Sequence, residues 1–242
     1  AAVESGADCV KFQMRDLSSL YANAGDAGDH REDLGSQYTL DLLTRFQLSD
    51  KEMFRALDHC QDSGVIPLVT PWDLVSMSKL EDYGIEGYKT ASADFTNHPL
   101  LLSLADTGKP LVCSTGMTTD AEIRDTVNLL ISKGCQFALL HCNSTYPTPF
   151  KDVNLQYMET LREIGGCPTG YSSHDRGIYV SIAAAALGAN IVEKHFTLDK
   201  TMEGNDHRVS LLPVEFATMV SGVREVESSL GFSKAREVTQ GE

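Results

Sequence analysis

Residues 188–199 read Gly-Ala-Asn-Ile-Val-Glu-Lys-His-Phe-Thr-Leu-Asp and contain an apolar run typical of a buried strand. The run ends in Glu193, Lys194 and His195, whereas a buried strand normally ends on neutral turn residues. Side chains alternate along a strand, so Glu193 and His195 share one face and Lys194 lies on the other. Taken alone, this pattern also fits a hydrogen-bonded histidine and a salt-bridged glutamate beside a surface turn. The rest of the chain favours a functional carboxylate and imidazole at this strand end.

Strand-like and helix-like segments alternate through most of the chain. Such alternation predicts an α/β fold with a parallel sheet, either doubly wound or closed into a (β/α)8 TIM barrel, and we predict the barrel. The pattern supplies one strand fewer than a barrel needs, so its first strand is expected upstream of Ala1. Strands are predicted at 8–13, 65–72, 87–92, 110–115, 137–142, 169–174 and within 188–199, and helices at 49–64, 73–83, 97–106, 119–133, 154–164, 177–187 and 213–229.

One domain accounts for nearly the whole chain. We predict an N-terminally incomplete barrel domain over residues 1–232 and a polar tail over residues 233–242. Residues 1–7 are expected to be the end of a helix, with Gly6 as its terminator. Residues 14–48 are polar and glycine-containing, which predicts a long irregular loop of the kind that often covers an active site.

Composition excludes several classes of partner. The net charge of −14 argues against nucleic acid and anionic membranes, because both require a basic surface. No apolar run approaches the ~20 residues that span a bilayer, and the chain does not open with the pattern of a signal peptide. The six cysteines show no CxxC spacing, which favours free thiols in a reduced compartment. We therefore expect a soluble cytoplasmic protein.

Polar side chains recur at the carboxyl ends of the predicted strands. In a parallel barrel these ends form one rim, which is where active sites are built. A single polar strand end could be a turn, and Lys89 alone could be a surface lysine, but agreement among all the strands indicates a functional rim. The rim residues are Lys11, Gln13, Thr70, Lys89, Ser92, Ser114, Thr115, His141, Ser172, His174, Glu193 and His195.

Two kinds of ligand suit this rim. His174 and His195 end consecutive strands and could share a divalent metal ion through ring nitrogens, although two separately hydrogen-bonded histidines would give the same pattern. Ammonium and hydroxyl groups are the donors that a phosphate or carboxylate ligand needs. The anion-binding candidates are Lys11, Lys89, Ser92, Ser114 and Ser172.

The loop after the strand 137–142 could meet a polyhydroxy substrate. Asn143, Ser144 and Tyr146 carry the polar groups, and the following Tyr-Pro-Thr-Pro run (146–149) could equally be a proline-stiffened connector. Asp206 lies on the loop after the last strand, where it would overhang the rim.

Seven strings of residues, in order along nearly the whole chain, resemble the N-acetylneuraminate (sialic acid) synthase family. The resemblance implies a barrel enzyme that condenses phosphoenolpyruvate with an N-acetylated amino-hexose such as N-acetylmannosamine. It also implies phosphate release and a divalent ion, Mn²⁺ or Mg²⁺/Co²⁺. The strings are Val-Lys-Phe-Gln (10–13), Thr-Pro-Trp-Asp (70–73), Tyr-Lys-Thr-Ala-Ser (88–92), Ser-Thr-Gly-Met (114–117), Tyr-Pro-Thr-Pro (146–149), Gly-Tyr-Ser-Ser-His (170–174) and Glu-Lys-His-Phe-Thr-Leu-Asp (193–199).

The resemblance also implies a role for individual residues. His174 and His195 become the metal ligands, and Glu193 is the candidate for orienting or deprotonating the attacking water. Lys11 and Lys89 are, with Glu193, the candidate catalytic residues. Phosphoenolpyruvate would be held by Lys11, Thr70, Lys89, Ser92, Ser114 and Ser172, and the sugar would face Gln13, Tyr146 and Asp206. Ser144, on the loop described above, stays a substrate-binding candidate.

The chain departs from the family pattern at several positions. Asp94 stands where the family often has a longer Glu, Trp72 where it has Phe, and Ser173 where it has Asp. The first two changes would reshape the pocket for the sugar, so both residues are included among the substrate-binding candidates. The family's first strand carries an acidic residue that contacts the sugar. Family members also carry a C-terminal antifreeze-like domain that lends an Arg to a partner subunit, so a homodimer is implied for a full-length protein, with residues 233–242 as the start of a linker.

Three alternatives remain open. The first is a synthase for another nonulosonic acid, such as legionaminate, pseudaminate or a spore-coat sugar acid. The second is a barrel that binds a sugar phosphate without catalysis. The third is a metal hydrolase of barrel form, which would require more metal ligands than two histidines.

Overall fold

Parallel strands and helices alternate along the chain. The computed structural model describes residues 1–21, 40–204, 206–231 and 238. The strands are β1 (Cys9–Met14), β2 (Ile66–Pro71), β3 (Tyr88–Thr90), β4 (Leu111–Ser114), β5 (Phe137–Cys142), β6 (Thr169–Ser173) and β7 (Ile191–Lys194). The helices are α1 (Leu17–Leu20), α2 (Leu40–Phe46), α3 (Asp50–Asp62), α4 (Leu74–Tyr83), α5 (His98–Asp106), α6 (Asp120–Ser132), α7 (Tyr157–Gly165), α8 (Tyr179–Ala186) and α9 (Pro213–Leu230). Short 3₁₀ turns lie at Ser92–Asp94, Phe150–Asp152 and Asp206–Arg208.

The seven strands form one parallel sheet in the order β1-β2-β3-β4-β5-β6-β7, so every strand pairs with its neighbours in sequence. The sheet is curled. Lys11 on β1 and Glu193 on β7 come from opposite ends of this order, yet Lys11 Nζ lies 3.3 Å from Glu193 Oε1. The α/β class and the parallel, barrel-like sheet are thereby confirmed. The carboxyl ends of all strands meet around one central space.

The apolar core lies between the outer face of the sheet and the helices. α6 turns Ile123, Val127 and Leu130 towards it, and all three are buried. These positions recur at the spacing of a helix face, which is why the helix packs along one stripe. Leu139 on β5 and Leu111 on β4 supply the matching sheet surface. Apolar side chains of the strands fill the layer between the sheet and the helices. The polar side chains at the strand ends line the inner face of the curled sheet.

Several helices begin with a side-chain cap. Ser49 and Glu52 form a reciprocal capping box at α3. Thr119 and Glu122 form a second capping box at α6. Asp73 caps α4 by accepting from the Ser76 backbone N–H. These caps satisfy orphan N–H groups at the helix starts and fix where each connecting loop ends.

Two segments differ from the sequence prediction. Residues 1–7 form turns rather than a helix end. The predicted loop 14–48 contains α1, which Asp16 caps through the Ser19 N–H, and α2; residues 22–39 lie outside the described part. The predicted tail 233–242 also lies outside it, apart from Val238.

Two predictions about the whole chain can be compared with the structure. Each of the six cysteines is a free thiol. Of the helices that the structure describes, none has the length and apolar character that crossing a bilayer requires.

Candidate active site

A cavity of about 490 Å³ opens at the carboxyl ends of the strands. Apart from Asp94 and Asp206, every residue to which the family resemblance gives a catalytic, metal-binding or substrate-binding role lines it. The lining residues are Lys11, Gln13, Arg15, Tyr21, Leu43, Thr70, Trp72, Lys89, Ala91, Ser92, Ala93, Ser114, Met117, Cys142, Ser144, Tyr146, Ser172, His174, Glu193 and His195.

Two lysines and one glutamate form a charged cluster at the inner end of the cavity. Glu193 Oε1 lies 3.3 Å from Lys11 Nζ, and Glu193 Oε2 lies 3.6 Å from Lys89 Nζ. Ser172 Oγ donates to Glu193 Oε2 at 2.7 Å, and Lys89 Nζ donates to Ser114 Oγ at 2.5 Å. The interpretation of Lys89 as a surface lysine is wrong, because only 3% of its surface is exposed. Two positive groups therefore face one negative group, which leaves the cluster suited to an added anion.

Burial and charge shift the protonation of this cluster in definite directions. Burial lowers the pKa of Lys89 below its ordinary value, while Glu193 opposes that shift. Burial alone would raise the pKa of Glu193, but the Lys11 and Lys89 ammonium groups outweigh it and hold this pKa well below its usual range. Glu193 is therefore a carboxylate at neutral pH.

The two histidines lie side by side at the cavity wall. The ring centroids of His174 and His195 are 5.3 Å apart, with 60° between the ring planes. His174 Nδ1 donates to the Asn143 carbonyl oxygen at 2.7 Å, which leaves the lone pair on Nε2. Burial lowers the pKa of His195 to about 4, with Asp206 opposing the shift. Tyr146 stacks on His174 with centroids 4.0 Å apart.

This donor set fits a divalent ion. Metal-binding histidines usually donate their second ring N–H to a carbonyl or carboxylate, as His174 does to Asn143. His195 Nδ1 lies 3.8 Å from Asp206 Oδ2. Among the described residues, no group of three or more His, Cys, Asp or Glu side chains is placed to hold a metal ion. The two-histidine metal site stays a prediction.

The turn after β4 is packed directly onto the serines of the site. The Gly116 N–H donates to Ser92 Oγ at 3.1 Å. A Cβ atom at Gly116 would lie 2.6 Å from Ser144 Oγ and 2.8 Å from Ser92 Oγ, closer than carbon and oxygen tolerate. Met117, which follows, has a φ of 65°, in the left-handed region. Only glycine allows the backbone to approach both hydroxyls.

The outer end of the cavity is flat and aromatic. The Trp72 Nε1–H donates to Gln13 Oε1 at 3.1 Å, and the Arg15 guanidinium lies 4.1 Å from the centroid of the Trp72 ring. Arg15 also donates to Gln13 Oε1 at 2.6 Å. An aromatic face beside amide and guanidinium groups can bind a ring that carries hydroxyl and amide substituents.

Four predicted rim residues lie elsewhere. Asp94 is largely enclosed beside the cavity wall, where burial raises the pKa of its carboxyl and Asn97 donates to it. Asp206 lies behind His195 instead of lining the cavity. Thr115 is buried with its hydroxyl donating to the Leu140 carbonyl oxygen. His141 faces the helix layer, where its Nε2–H donates to the Val153 carbonyl oxygen at 2.6 Å.

Sequence reasoning also missed lining residues. Cys142 lines the cavity and its Sγ lies 3.7 Å from His174 Nδ1. Strand parity carries the signal: Cys142 pairs with Ser172, which faces the cavity, and His141 pairs with Tyr171, which faces away. The other missed residues with long side chains are Arg15, Tyr21, Leu43 and Met117, all outside the strands.

The comparisons with known proteins agree with one another. Residues 1–235 match the family model described as the NeuB family. The N,N'-diacetyllegionaminic acid synthase of Campylobacter jejuni is 35% identical, over 95% of this chain and 70% of its own length. The N-acetylneuraminate-9-phosphate synthase of Homo sapiens is 33% identical, over 95% of this chain and 65% of its own length. The chain thus spans roughly two thirds of the length of these relatives.

A solved structure matches the fold closely. The N-acetylneuraminic acid (sialic acid) synthetase of Leptospira borgpetersenii, crystallised in complex with citrate, superposes with a TM-score of 0.88 at 31% identity. The match covers 98% of this chain and 79% of that one. The curled parallel sheet and its helices are therefore shared with that protein.

Proposed function

The chain belongs to the NeuB family, and from that premise we propose that it condenses phosphoenolpyruvate with an N-acetylated amino-hexose, giving a nonulosonic acid and phosphate. One observation carries the proposal: the Lys11, Lys89 and Glu193 cluster and the paired His174 and His195 rings line the same cavity. An anion site beside a site for a carbonyl-activating ion is what this condensation requires.

Phosphoenolpyruvate would occupy the inner end of the cavity. Its phosphate and carboxylate carry negative charge that Lys11 and Lys89 can neutralise. Ser114, whose Oγ accepts from Lys89, can donate its own O–H to these oxygens, and Ser172 lines the same space while its O–H is donated to Glu193. Each of these hydroxyls already contacts the charged cluster, at Lys89 and Glu193 respectively. The donors are therefore organised before the ligand arrives, which lowers the cost of binding.

His174 and His195 would hold a divalent ion, Mn²⁺ or Mg²⁺/Co²⁺. When bound there, such an ion would supply Lewis acidity to the aldehyde oxygen of the open-chain sugar. The chain's own contribution is orientation: the bond from His174 Nδ1 to the Asn143 carbonyl fixes the tautomer, and the stacked Tyr146 ring holds the imidazole plane.

Three bond changes complete the reaction. C3 of phosphoenolpyruvate forms a bond to the aldehyde carbon, whose oxygen takes up a proton. Water then adds to the electron-poor C2 and loses one proton. The bond from C2 to the phosphate oxygen breaks as the C2 hydroxyl becomes a ketone, and its proton leaves with the phosphate. Glu193, which contacts Ser172 and both lysines, would lie beside this carbon, where its carboxylate can accept a hydrogen bond from the water and orient it.

The sugar would occupy the outer end of the cavity. Gln13, Trp72, Ser144 and Tyr146 line this region, and Thr70 and Ser92 line the cavity with them. The Trp72 ring, covered by the Arg15 guanidinium, gives this end a broad flat wall for an N-acetyl group. Asp94 and Asp206 remain predicted sugar contacts, although neither side chain lines the cavity.

An eighth strand is part of the same proposal. Within the described part of the chain, β1 pairs only with β2 and β7 only with β6. Both strands are half-exposed over most of their length, whereas β3 and β6 are buried throughout. A strand inserted between β7 and β1 would cover both edges and close the (β/α)8 barrel.

The test is release of inorganic phosphate from phosphoenolpyruvate. The chain is assayed with N-acetylmannosamine, its 6-phosphate, and the N-acetylated hexoses that lead to legionaminate and pseudaminate, with and without Mn²⁺. We expect release with one of these sugars only when Mn²⁺ is present, and loss of that release in His195→Ala with the fold retained by circular dichroism. Turnover that persists in His195→Ala would contradict the metal assignment. Binding of phosphoenolpyruvate without release for any sugar would overturn the enzyme proposal in favour of a non-catalytic barrel.

A further inference from the structure

A second charged network lies behind the two histidines, on the face of the sheet away from the cavity. The side chains of Lys194 and Asp175 are both fully buried, and Lys194 Nζ lies 3.8 Å from Asp175 Oδ2. Lys194 Nζ also donates to Ser173 Oγ at 2.7 Å and to the Asp175 carbonyl oxygen. Asp175 Oδ1 accepts from Ser173 Oγ at 2.7 Å and from the Tyr171 hydroxyl at 2.6 Å. We refer to these four residues as the Lys194 network.

The Lys194 network begins where strand pairing stops. Ser173 and Lys194 form the last register pair between β6 and β7. His174 and His195 follow one residue later, so the ladder itself does not fix their separation. Lys194 directly precedes His195, and its Nζ donates to the backbone carbonyl oxygen of Asp175, which directly follows His174. The Lys194 network therefore joins the two segments that carry the imidazoles.

Other contacts anchor each histidine separately. The Thr148 N–H donates to the His174 carbonyl oxygen at 3.1 Å, and the Leu211 N–H donates to the His195 carbonyl oxygen at 2.8 Å. These bonds attach the two histidines to different loops. Neither bond joins one histidine to the other. The Tyr146 ring contacts both imidazoles, at centroid distances of 4.0 Å from His174 and 5.7 Å from His195, and the Lys194 network joins the backbone segments that carry them.

Stability alone is a poor explanation for such a network. Burying an ammonium and a carboxylate costs desolvation free energy that their attraction often fails to recover, and apolar replacements are frequently as stable. A buried polar network can instead select one geometry over competing ones. Here the geometry selected is that of the His174 and His195 segments.

We propose that Lys194 and Asp175 are positioning residues that set the spacing of His174 and His195 and thereby the affinity of this pair for a divalent ion. The inference rests on the proposed function in that it takes the two imidazoles as the ion's ligands. It assigns a role to the most basic residue of the 188–199 stretch, which strand parity alone places out of reach of the substrate.

The test compares two pairs of substitutions of the same kind. Lys194→Met with Asp175→Asn removes both buried charges together, because either change alone would leave an uncompensated charge and could prevent folding. The control is Lys109→Met with Glu81→Gln. Lys109 Nζ lies 2.6 Å from Glu81 Oε1, and the Tyr88 hydroxyl also donates to that oxygen. This pair therefore has the same types of group in a partly exposed ion pair at the opposite end of the strands.

Mn²⁺ affinity is measured from the electron paramagnetic resonance signal of the free ion, and phosphoenolpyruvate binding is measured without metal. We expect the Lys194 and Asp175 pair to weaken Mn²⁺ binding by at least ~10-fold, with phosphoenolpyruvate affinity changed by less than ~2-fold. The control pair should keep wild-type Mn²⁺ affinity, even if its melting temperature falls.

Two outcomes overturn the positioning role. One is wild-type Mn²⁺ affinity in the folded Lys194 and Asp175 variant, which would make the network purely structural. The other is absence of Mn²⁺ binding by the wild-type chain. The proposed function fails separately, if a wild-type chain that does bind Mn²⁺ releases no phosphate with any sugar.

Discussion

Lys89 shows how strongly the site constrains a single side chain. Lysine is almost never fully buried unless it is paired, and here its ammonium contacts Ser114, the Thr90 carbonyl oxygen and Glu193. Burial also lowers its pKa. Glu193 is the one carboxylate that both Lys89 and Lys11 contact in this cluster, so its single negative charge does not balance both ammonium groups. Lys89 can therefore neutralise a second anion.

We expect Lys89→Ala to raise the KM for phosphoenolpyruvate by at least ~10-fold and the KM for the sugar by less than ~3-fold. The reason is that a buried ammonium group contributes several-fold more to the binding of an anion than an exposed one, and only phosphoenolpyruvate is placed against Lys89. Steady-state kinetics with each substrate varied in turn measures both. Lys133→Ala is the matched control, since Lys133 forms an exposed ion pair with Asp106 and should leave both constants unchanged. An equal rise in both constants for Lys89→Ala would contradict the assignment of Lys89 to the anion.

Strand parity explains both the success and the failures of prediction at this scale. Parity correctly placed Glu193 and His195 on the cavity face and Lys194 behind it. The same rule, applied to β5, would have selected Cys142 in place of His141. Asp94 lies in a 3₁₀ turn beyond the end of β3, where the alternation of side chains along a strand no longer predicts which way a side chain points.

At the scale of elements, each helix begins where the rim loop before it ends. The turn that carries Gly116 runs directly into Thr119, whose hydroxyl accepts from the Glu122 N–H at the start of α6. The Glu122 carboxylate in turn accepts from the Thr119 N–H. This capping box stabilises the helix and sets the exit of a loop that packs against Ser92.

Thr119→Ala should lower the free energy of unfolding by ~1 kcal/mol, because the helix loses its side-chain cap. For a chain of this size we expect the melting temperature to fall by about 2–4 °C, with activity at 25 °C unaffected. Thr119→Ser, which keeps the hydroxyl, should melt close to the wild type. Equal melting temperatures for all three proteins in differential scanning calorimetry would show that the cap contributes nothing.

The sequence pattern predicted the order and type of the main elements because most strands lie in short apolar runs and each long helix shows one apolar face. Boundaries shifted by one or two residues at the rim, as at β3, where Ala91 and Ser92 leave the ladder for a 3₁₀ turn. The helices α1 and α2 were not predicted. They are too short to show a repeating apolar face, and α1 has no buried residue at all.

At the scale of the whole molecule, the curl of the sheet is what assembles the site. Strand order could be expected from regular alternation, but the contact of β1 with β7 across the cavity depends on twist accumulated over the entire sheet. Lys11 and Glu193 are 182 positions apart by their numbers, and no local pattern connects them. Dimerisation of a full-length protein stays a prediction.

The stability of the folded chain should depend on pH through His141. This imidazole is buried between Tyr157 and Tyr171 and donates to the Val153 carbonyl oxygen. Burial lowers its pKa from the ordinary value of 6.5. Below that value the unfolded chain binds a proton that the folded chain does not. Stability contributed by the neutral imidazole is therefore lost as pH falls, by at most ~1.4 kcal/mol per pH unit.

Urea unfolding at about pH 7.5, 6.5 and 5.5 measures this slope. We expect His141→Gln, which keeps an N–H donor but cannot titrate, to lose less stability than the wild type between the two lower values. His59→Gln is the control, because His59 is exposed on α3, and it should follow the wild-type slope. A His141→Gln slope as steep as that of the wild type would show that other groups cause the acid sensitivity.

The depth of Lys89 has a consequence for the sequence of events in turnover. Lys89, Ser114 and Ser172 are buried at the inner end of the cavity, whereas Met117, with 74% of its surface exposed, lies at the opening. A sugar seated against Trp72 and Tyr146 would block the route inwards. Addition should therefore be ordered, with phosphoenolpyruvate first, and an unreactive sugar analogue should inhibit uncompetitively against phosphoenolpyruvate and competitively against the sugar. A random mechanism would give mixed inhibition against phosphoenolpyruvate instead, so the inhibition pattern shows whether the cavity fills from its inner end.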